Sequence, residues 1–219
     1  MKRLAIFDLD GTLTDSAEGI YNCIRYALDK KGVPVPGDDV LKLFIGPPIV
    51  DSLREHCGMT DEEAEETYGY FRERYLPVGK FENAVYDGIP ELLFELKAAG
   101  VYLGIATAKP QAPTMDILRH FDLLKYFSVV KGARNEINLV HKRDILGAAL
   151  EACEAEGILT STRYMIGDRR YDMEAAVALN CIPIGVSYGF GAREELKSAS
   201  AVVVCDTPAE VGAYVLRGV

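Results

Sequence analysis

Short apolar runs recur along the chain, and they limit the possible fold more than any other feature of the sequence. Each run has the length of a strand, and its apolar residues are continuous instead of alternating with polar ones. This pattern is typical of strands that are covered on both faces, as in parallel sheets. Helix-like segments separate most of the runs, which predicts an α/β fold with a doubly wound, mostly parallel sheet. The runs are 4–7, 101–106, 127–130, 164–166, 182–186 and 201–204.

Residues 15–83 interrupt this alternation of strands and helices. They contain no convincing buried strand, and their apolar spacing is that of several helices. We therefore predict two domains: an α/β core formed by residues 1–14 and 84–219, and an inserted all-helical cap domain formed by residues 15–83. Because the insertion directly follows the first strand, the cap is a candidate lid. The helices predicted in it are 17–31, 49–56 and 61–75.

Composition excludes several classes of partner. The net charge is −9 and there is no block of Lys or Arg, so a nucleic acid polymer is not expected to bind. No apolar stretch approaches the length of a membrane-spanning helix, so we expect no membrane contact. The five cysteines are scattered and form no C-x-x-C pair. This distribution is typical of reduced thiols, and it favours a cytoplasmic protein.

Two carboxylates follow the first apolar run. Asp8 and Asp10 are two residues apart, so they leave the end of the strand on the same side, and Gly11 then permits a sharp turn. Two carboxylates held close together repel each other unless a cation lies between them. The pair therefore indicates a divalent metal site with a carboxylate able to attack a substrate. The alternative is that both aspartates only stabilise a turn.

Two later runs also end in polar residues. Thr107 follows one run, where its hydroxyl and free backbone N–H groups, at the start of a helix, suit an anionic oxygen, although a simple helix cap is the alternative. Asp168 and Asp172 follow another run, again beside a glycine. The carboxyl ends of parallel strands meet at one edge of the sheet. Four carboxylates brought there predict a Mg²⁺ site, because that ion prefers oxygen ligands.

These residues resemble the motifs of the haloacid dehalogenase superfamily of phosphohydrolases. The four parts of the superfamily pattern fall, in order, at residues 8–13, Thr107, Lys142 and 167–172. The inserted helices are similar to the cap of the phosphoglycolate phosphatase-like subgroup. The resemblance implies a Rossmannoid core and a phosphoric monoester hydrolase for a small phosphorylated metabolite, such as 2-phosphoglycolate or a nucleoside 5′-monophosphate. Three further segments resemble a branch of 5′-nucleotidases and phosphoglycolate phosphatases: 44–48, 85–88 and 188–191.

The resemblance also implies the chemical roles of single residues. Asp8 would be the nucleophile that forms an aspartyl-phosphate, and Asp10 would protonate the leaving alcohol and then deprotonate the attacking water. Asp10 would add its main-chain carbonyl to the metal site. The implied ligands of Mg²⁺ are Asp8, Asp10, Asp168 and Asp172.

Substrate contacts are implied in the same way. The resemblance assigns Lys142 to the transferring phosphoryl group, although the sequence by itself does not favour Lys142 over Lys109 or Arg143. The implied phosphate-binding residues are Leu9, Thr107, Ala108 and Lys142. Residues of the cap would select the leaving group, and the candidates there are Gly46, Pro47, Arg72 and Arg74.

Three other functions are alternatives to phosphomonoester hydrolysis. A dehalogenase attacks carbon and needs neither Asp10 nor a metal. A sugar phosphomutase would share the aspartyl-phosphate, but its relatives carry an Arg in the cap loop near the position of Ile49 here. A non-enzymatic phospho-acceptor module would need neither a seventy-residue lid nor an acid two residues after the acceptor. Hydrolysis is therefore the preferred interpretation.

Overall fold

The computed structural model describes residues 2–218 of the chain. These residues form two compact units. One unit contains the residues up to Thr14 and those from Val85 onward, and the other is Asp15–Ala84. Every helix in the described range is too short or too polar to cross a membrane.

The core unit is built on a six-stranded sheet with the order β5-β4-β1-β6-β7-β8. Each pair of neighbouring strands in it is parallel, which confirms the predicted class of sheet. The remaining two strands, β2 and β3, pair with each other in a separate small sheet. The strands are β1 (Arg3–Phe7), β2 (Thr14–Asp15), β3 (Ala84–Val85), β4 (Tyr102–Pro110), β5 (Val129–Ala133), β6 (Thr162–Gly167), β7 (Ile182–Val186) and β8 (Val203–Cys205).

Strand β1 lies inside the sheet and is buried on both faces. Ala5 and Phe7 belong to one hydrophobic cluster, and Leu4 and Ile6 belong to a second cluster on the other side. Side chains alternate between the faces of a strand, so both faces need apolar residues. This explains why the apolar runs of the sequence are continuous.

Helices cover both faces of the sheet. Leu92 and Val211 pack into the cluster that contains Phe7, whereas Ile145 and Ala176 pack into the cluster that contains Ile6. Burial of these apolar side chains is the main driving force for the layered arrangement. The helices of the core unit are α5 (Ile89–Ala98), α6 (Gln111–His120), α7 (Lys142–Ala155), α8 (Arg170–Ala178), α9 (Arg193–Ser198) and α10 (Pro208–Arg217).

The second unit is helical, apart from one residue of β2 and one of β3 at its ends. Thr60 caps the last of its four α-helices through a capping box with Glu63, as the sequence pattern indicates. Ala64 and Phe71 are buried on that helix. The α-helices of this unit are α1 (Ala17–Lys31), α2 (Asp38–Leu41), α3 (Ile49–Cys57) and α4 (Asp61–Tyr75). Two short 3₁₀ turns accompany them, Lys42–Phe44 and Gly79–Phe81.

Candidate active site

The end of β1 turns sharply next to the end of β6. The Asp8 N–H donates to the Ile166 carbonyl, 2.9 Å away, so Asp8 continues the parallel pairing for one residue. Gly11 then adopts a positive φ of 76°. A Cβ on Gly11 would overlap the carboxylate of Asp168. Glycine therefore serves two purposes here, because it permits the turn after β1 and lets that turn approach Asp168, which directly follows β6.

The end of β6 places two further carboxylates at the same edge of the sheet. Asp168 Oδ2 accepts a hydrogen bond of 2.8 Å from the Phe190 N–H. Asp172 Oδ2 accepts one of 3.1 Å from the Arg169 N–H, and so caps the start of α8. A Cβ on Gly167 would overlap the Asp172 side chain. Both aspartates are fully buried and held by backbone donors from different loops.

Asp8, Asp168 and Asp172 converge. Each offers a carboxylate oxygen, and these three oxygens lie within 4.8 Å of one another. Burial, followed by the charges of Asp172 and Asp8, raises the pKa of Asp168 well above its usual value. Three buried carboxylates at this spacing are unfavourable without a compensating positive charge.

Lys142 supplies part of that charge. It begins α7, its Nζ lies 2.8 Å from Asp8 Oδ2 and 2.8 Å from Asp172 Oδ1, and it also donates to the Ala106 carbonyl. Burial would lower the pKa of Lys142, but the neighbouring Asp172 and Asp8 raise it above its ordinary value. Lys142 is therefore a buried ammonium in contact with the predicted nucleophile.

The remaining oxygen atoms fit a hard divalent cation. Asp168 Oδ1 is buried and has no hydrogen-bond partner among residues 2–218. The cluster holds three carboxylates and Lys142 contacts two of them, so a cation that prefers oxygen ligands would satisfy both the unpaired atom and the excess negative charge. Asp8, Asp168 and Asp172 have the donor chemistry for it. Asp10 was also predicted to be a ligand, but its carboxylate is not part of this cluster, and a role for its main-chain carbonyl stays a prediction.

The carboxylate of Asp10 faces a different lysine. Asp10 Oδ2 lies 3.0 Å from Lys109 Nζ, and the Lys109 side chain is only 4% exposed. From the sequence, Lys109 was only an alternative to Lys142, and no role was predicted for it. The available signal was its position two residues after Thr107, but its partner follows from the pairing of β4 with β1 and not from sequence spacing.

Thr107 is buried, but it does not begin a helix as predicted. Strand β4 continues to Pro110, and α6 starts only at Gln111. The reason is that β4 keeps pairing with β5 beyond an irregularity, where Pro110 lies opposite Ala133. Thr107 Oγ1 accepts a hydrogen bond of 3.3 Å from the Lys109 N–H.

The other two predicted phosphate-binding residues lie at the same edge of the sheet. The Leu9 N–H donates to Asp8 Oδ1, 2.7 Å away. Ala108 is half-buried at the end of β4. Their contacts with a phosphate stay predictions.

The candidate specificity residues all lie in the helical unit, in two places. Gly46 and Pro47 form the turn before α3 and are half-buried. Arg72 is exposed on α4, with its guanidinium 5.9 Å from the Tyr68 ring centre. Arg74 is held by Glu82 through two hydrogen bonds of 2.6 and 2.8 Å. A contact between Arg74 and a substrate therefore requires that this ion pair be broken or shared.

Comparison with known proteins agrees with this geometry. Residues 5–186 match the family described as haloacid dehalogenase-like hydrolase. A 5′-nucleotidase of Pseudomonas aeruginosa is 37% identical over 91% of this chain and 89% of its own length. The tyrosine-protein kinase PtkA of Mycobacterium tuberculosis is 39% identical over 92% of this chain and 68% of its own. The crystal structure of a predicted phosphatase from Clostridium acetobutylicum is 39% identical, covers both chains fully and superposes with a TM-score of 0.91.

The chain therefore belongs to the haloacid dehalogenase-like hydrolases. Within that family it is a phosphoric monoester hydrolase, in agreement with the resemblance of its motifs.

Proposed function

We propose that this protein is a Mg²⁺-dependent phosphatase that hydrolyses a small phosphomonoester through an aspartyl-phosphate on Asp8. One observation carries the proposal: the buried Asp8 carboxylate contacts the ammonium of Lys142 and lies beside two further buried carboxylates. A carboxylate held in this way is oriented for attack. The ammonium of Lys142 would also stabilise the transferring phosphoryl group.

The first half of the reaction forms the covalent intermediate. A carboxylate oxygen of Asp8 attacks phosphorus, and the bond from phosphorus to the ester oxygen breaks. Asp10 gives its proton to the departing oxygen, so the alcohol leaves in neutral form. Lys142 and the Thr107 hydroxyl are the side-chain donors that we assign to the phosphoryl oxygens.

The second half returns the enzyme to its starting state. Asp10, now a carboxylate, takes a proton from a water molecule that attacks phosphorus. The bond from phosphorus to Asp8 breaks, inorganic phosphate leaves, and Asp10 is again protonated. Asp8 therefore ends as a free carboxylate and Asp10 as a carboxylic acid, as each was before the reaction.

Mg²⁺ is the cation that we assign to the three carboxylates. Asp8, Asp168 and Asp172 would hold it, with the Asp10 carbonyl as a fourth protein ligand. When bound, the ion would neutralise negative charge on the phosphoryl group and on Asp8.

The substrate that we propose is a small phosphorylated metabolite, in the cytoplasm. A nucleoside 5′-monophosphate is one candidate, in line with the name of the Pseudomonas relative. 2-Phosphoglycolate is the other, from the resemblance of the motifs. We assign the choice of leaving group to the helical unit, as a cap, and within it to Gly46, Pro47, Arg72 and Arg74.

Phosphate release from p-nitrophenyl phosphate with Mg²⁺ tests the proposal. We expect steady turnover that EDTA abolishes and Mg²⁺ restores. Asp8→Asn should lower kcat by at least about 10³-fold, and Asp10→Asn by about 10²–10⁴-fold. Asp87→Asn, at an exposed aspartate of the core unit, is the matched control and should retain full activity. Undiminished turnover in Asp8→Asn would exclude Asp8 as the nucleophile.

Two outcomes would redirect the proposal. A single burst of phosphate that then stops would favour a phospho-acceptor module.

The similarity to PtkA makes transfer from ATP to tyrosine the second candidate. Incubation with ATP and Mg²⁺, followed by detection of phosphotyrosine on the protein, separates that activity from release of inorganic phosphate. A screen of nucleoside monophosphates, sugar phosphates, 2-phosphoglycolate and pyrophosphate then identifies the substrate.

A further inference from the structure

A second buried lysine lies beside the residue to which we assign acid–base chemistry. Lys109 Nζ is 3.0 Å from Asp10 Oδ2, and the two side chains are 4% and 13% exposed. Removing an ammonium group from water is costly unless a carboxylate compensates it. Two apolar residues in place of such a buried ion pair are often as stabilising as the pair itself. The pair is therefore a candidate for a functional role, beside a structural one.

The main chain around Lys109 is fixed from two directions. The Thr114 hydroxyl lies within hydrogen-bond distance of the Lys109 carbonyl, at 3.4 Å, and of the Pro110 carbonyl, at 2.9 Å. On the other side, a Cβ on Gly132 would come within 2.7 Å of the Lys109 carbonyl oxygen. Strand β5 thus packs directly against the main chain of Lys109, which limits the positions that Nζ can reach.

Gln111 strengthens this support. Its side-chain oxygen accepts from the Gly132 N–H at 2.5 Å, and its side-chain nitrogen donates to the Val130 carbonyl at 3.3 Å. Gln111 therefore ties the start of α6 to β5 just beyond Lys109. The ammonium group is held on a rigid part of the sheet edge.

The two oxygens of Asp10 have different surroundings. Oδ2 faces Lys109, whereas Oδ1 is buried without a hydrogen-bond partner in the described part of the chain. We propose that Lys109 is a positioning residue that anchors Oδ2 and so presents Oδ1 to the oxygen of the leaving group. This inference rests on the proposed function, in which Asp10 protonates that oxygen. Lys142 thus orients the nucleophile Asp8, and Lys109 orients the acid Asp10.

The need for a proton donor varies with the leaving group, and this gives a specific test. Phenolate is a strong base, with a pKa of about 10 for its acid, and its departure benefits from a proton donor. p-Nitrophenolate is a much weaker base and departs without one. The two esters have similar shapes, so their comparison isolates the proton transfer. The quantity to measure is kcat/KM, because it includes the steps up to the aspartyl-phosphate.

We expect Lys109→Met to lower kcat/KM for phenyl phosphate by about 10- to 100-fold, within the range for loss of general acid catalysis. For p-nitrophenyl phosphate we expect a loss below about threefold, since no proton donor is needed. Lys109→Arg, which keeps the cation, should restore part of the activity on phenyl phosphate. Lys131→Met, at a half-buried lysine on the adjacent strand β5, is the matched control and should leave the ratio of the two substrates unchanged.

Equal losses on both substrates in Lys109→Met and Lys109→Arg would overturn the inference, because a merely structural lysine would act on both alike. Thermal denaturation of both variants shows whether they fold. If Lys109→Met is unfolded, Lys109→Arg alone decides, since a misplaced cation should still lower the activity on phenyl phosphate more. Failure of the proposed function has a different signature: wild-type protein without Mg²⁺-dependent turnover, or Asp8→Asn with full turnover.

Discussion

The candidate site of the α/β core and the surface of the helical unit hold their charged side chains in opposite ways. In the core, Lys142 and Lys109 have side chains that are 7% and 4% exposed, and both face buried or nearly buried aspartates. In the helical unit, the typical ion pair joins Lys30 to Glu73, whose side chains are 38% and 54% exposed. Water and salt screen the second kind of pair and leave the first kind almost unscreened.

This difference separates two tasks. In the candidate site, a small displacement of one buried charge changes the energy of every charge beside it, so the site accepts few substitutions. In the helical unit, charged residues can change at little cost to the fold. The unit to which we assign the choice of substrate is thus the one whose surface can vary freely. Matched substitutions in the two units test this difference.

Lys142→Met should have the largest effect. It removes the ammonium that faces Asp8 and Asp172, so we expect kcat/KM for p-nitrophenyl phosphate to fall by about 10²–10³-fold. In EDTA, the free energy of unfolding should fall by about 3–5 kcal/mol, because two buried carboxylates lose their partner. Added Mg²⁺ should recover part of the stability. Urea denaturation with and without Mg²⁺ measures this.

Lys30→Met is the counterpart in the helical unit. The pair that it removes is exposed, and we expect the melting temperature to change by no more than about 2 °C. Similar destabilisation by Lys142→Met and Lys30→Met would contradict the distinction between the two units.

Gly189→Ala should weaken the metal site without removing any ligand. A Cβ there would overlap the Gly11 carbonyl and lie 2.5 Å from Asp168 Cβ. Asp168 must then shift, and the loss of such support around metal ligands typically costs about 10–100-fold in metal affinity. The Mg²⁺ dependence of p-nitrophenyl phosphate hydrolysis should move to higher concentrations by this factor. An unchanged Mg²⁺ dependence would show that the close packing of Gly189 does not set the position of Asp168.

Glu82→Gln tests the partly buried ion pair that involves Arg74, a predicted specificity residue. Glu82 and Arg74 each have side chains 25% exposed, and the Arg74 guanidinium also reaches Cys23. We expect the free energy of unfolding to fall by about 1 kcal/mol, because the glutamine keeps a hydrogen bond but loses the charge. Glu73→Gln, at an exposed ion pair, should change stability less. A larger loss of stability from Glu73→Gln would show that burial does not determine which of the two ion pairs contributes more to the free energy of unfolding.

The parallel sheet and the convergence of Asp8, Asp168 and Asp172 could be predicted from the sequence, because both depend on local patterns. Continuous apolar runs identify strands covered on both faces, and carboxylates directly after such runs must lie at the edge where ligands bind. The convergence of Asp8 with Asp168 follows from the pairing of β1 with β6. The role of Lys142 could be predicted only from the family resemblance, since its position at the start of a helix is not informative by itself.

The contacts that could not be predicted depend on which elements become neighbours. Lys109 meets Asp10 because β4 lies next to β1, and nothing in the local sequence indicates this order. Strand β4 extends to Pro110 through its pairing with β5, which overrides the apparent helix start at Thr107. Arg74 reaches Glu82 through the turn that contains Gly79–Phe81. In each case a tertiary contact determines the role of the residue, and the local sequence pattern suggests a different role.

Gly69→Ala should have the smallest effect, and it should stabilise the fold, whereas Gly189→Ala should weaken the proposed Mg²⁺ site. Gly69 is exposed in the middle of α4, and a Cβ there would have no heavy atom within 4 Å. Alanine lowers the entropy of the unfolded chain and favours the helix, so the free energy of unfolding should rise by about 0.5–1 kcal/mol. Urea denaturation measures the gain, and Mg²⁺ dependence should not change. A destabilised Gly69→Ala would mean that even exposed positions of α4 are constrained, and it would remove the basis for treating this unit as the part of the molecule that is free to vary.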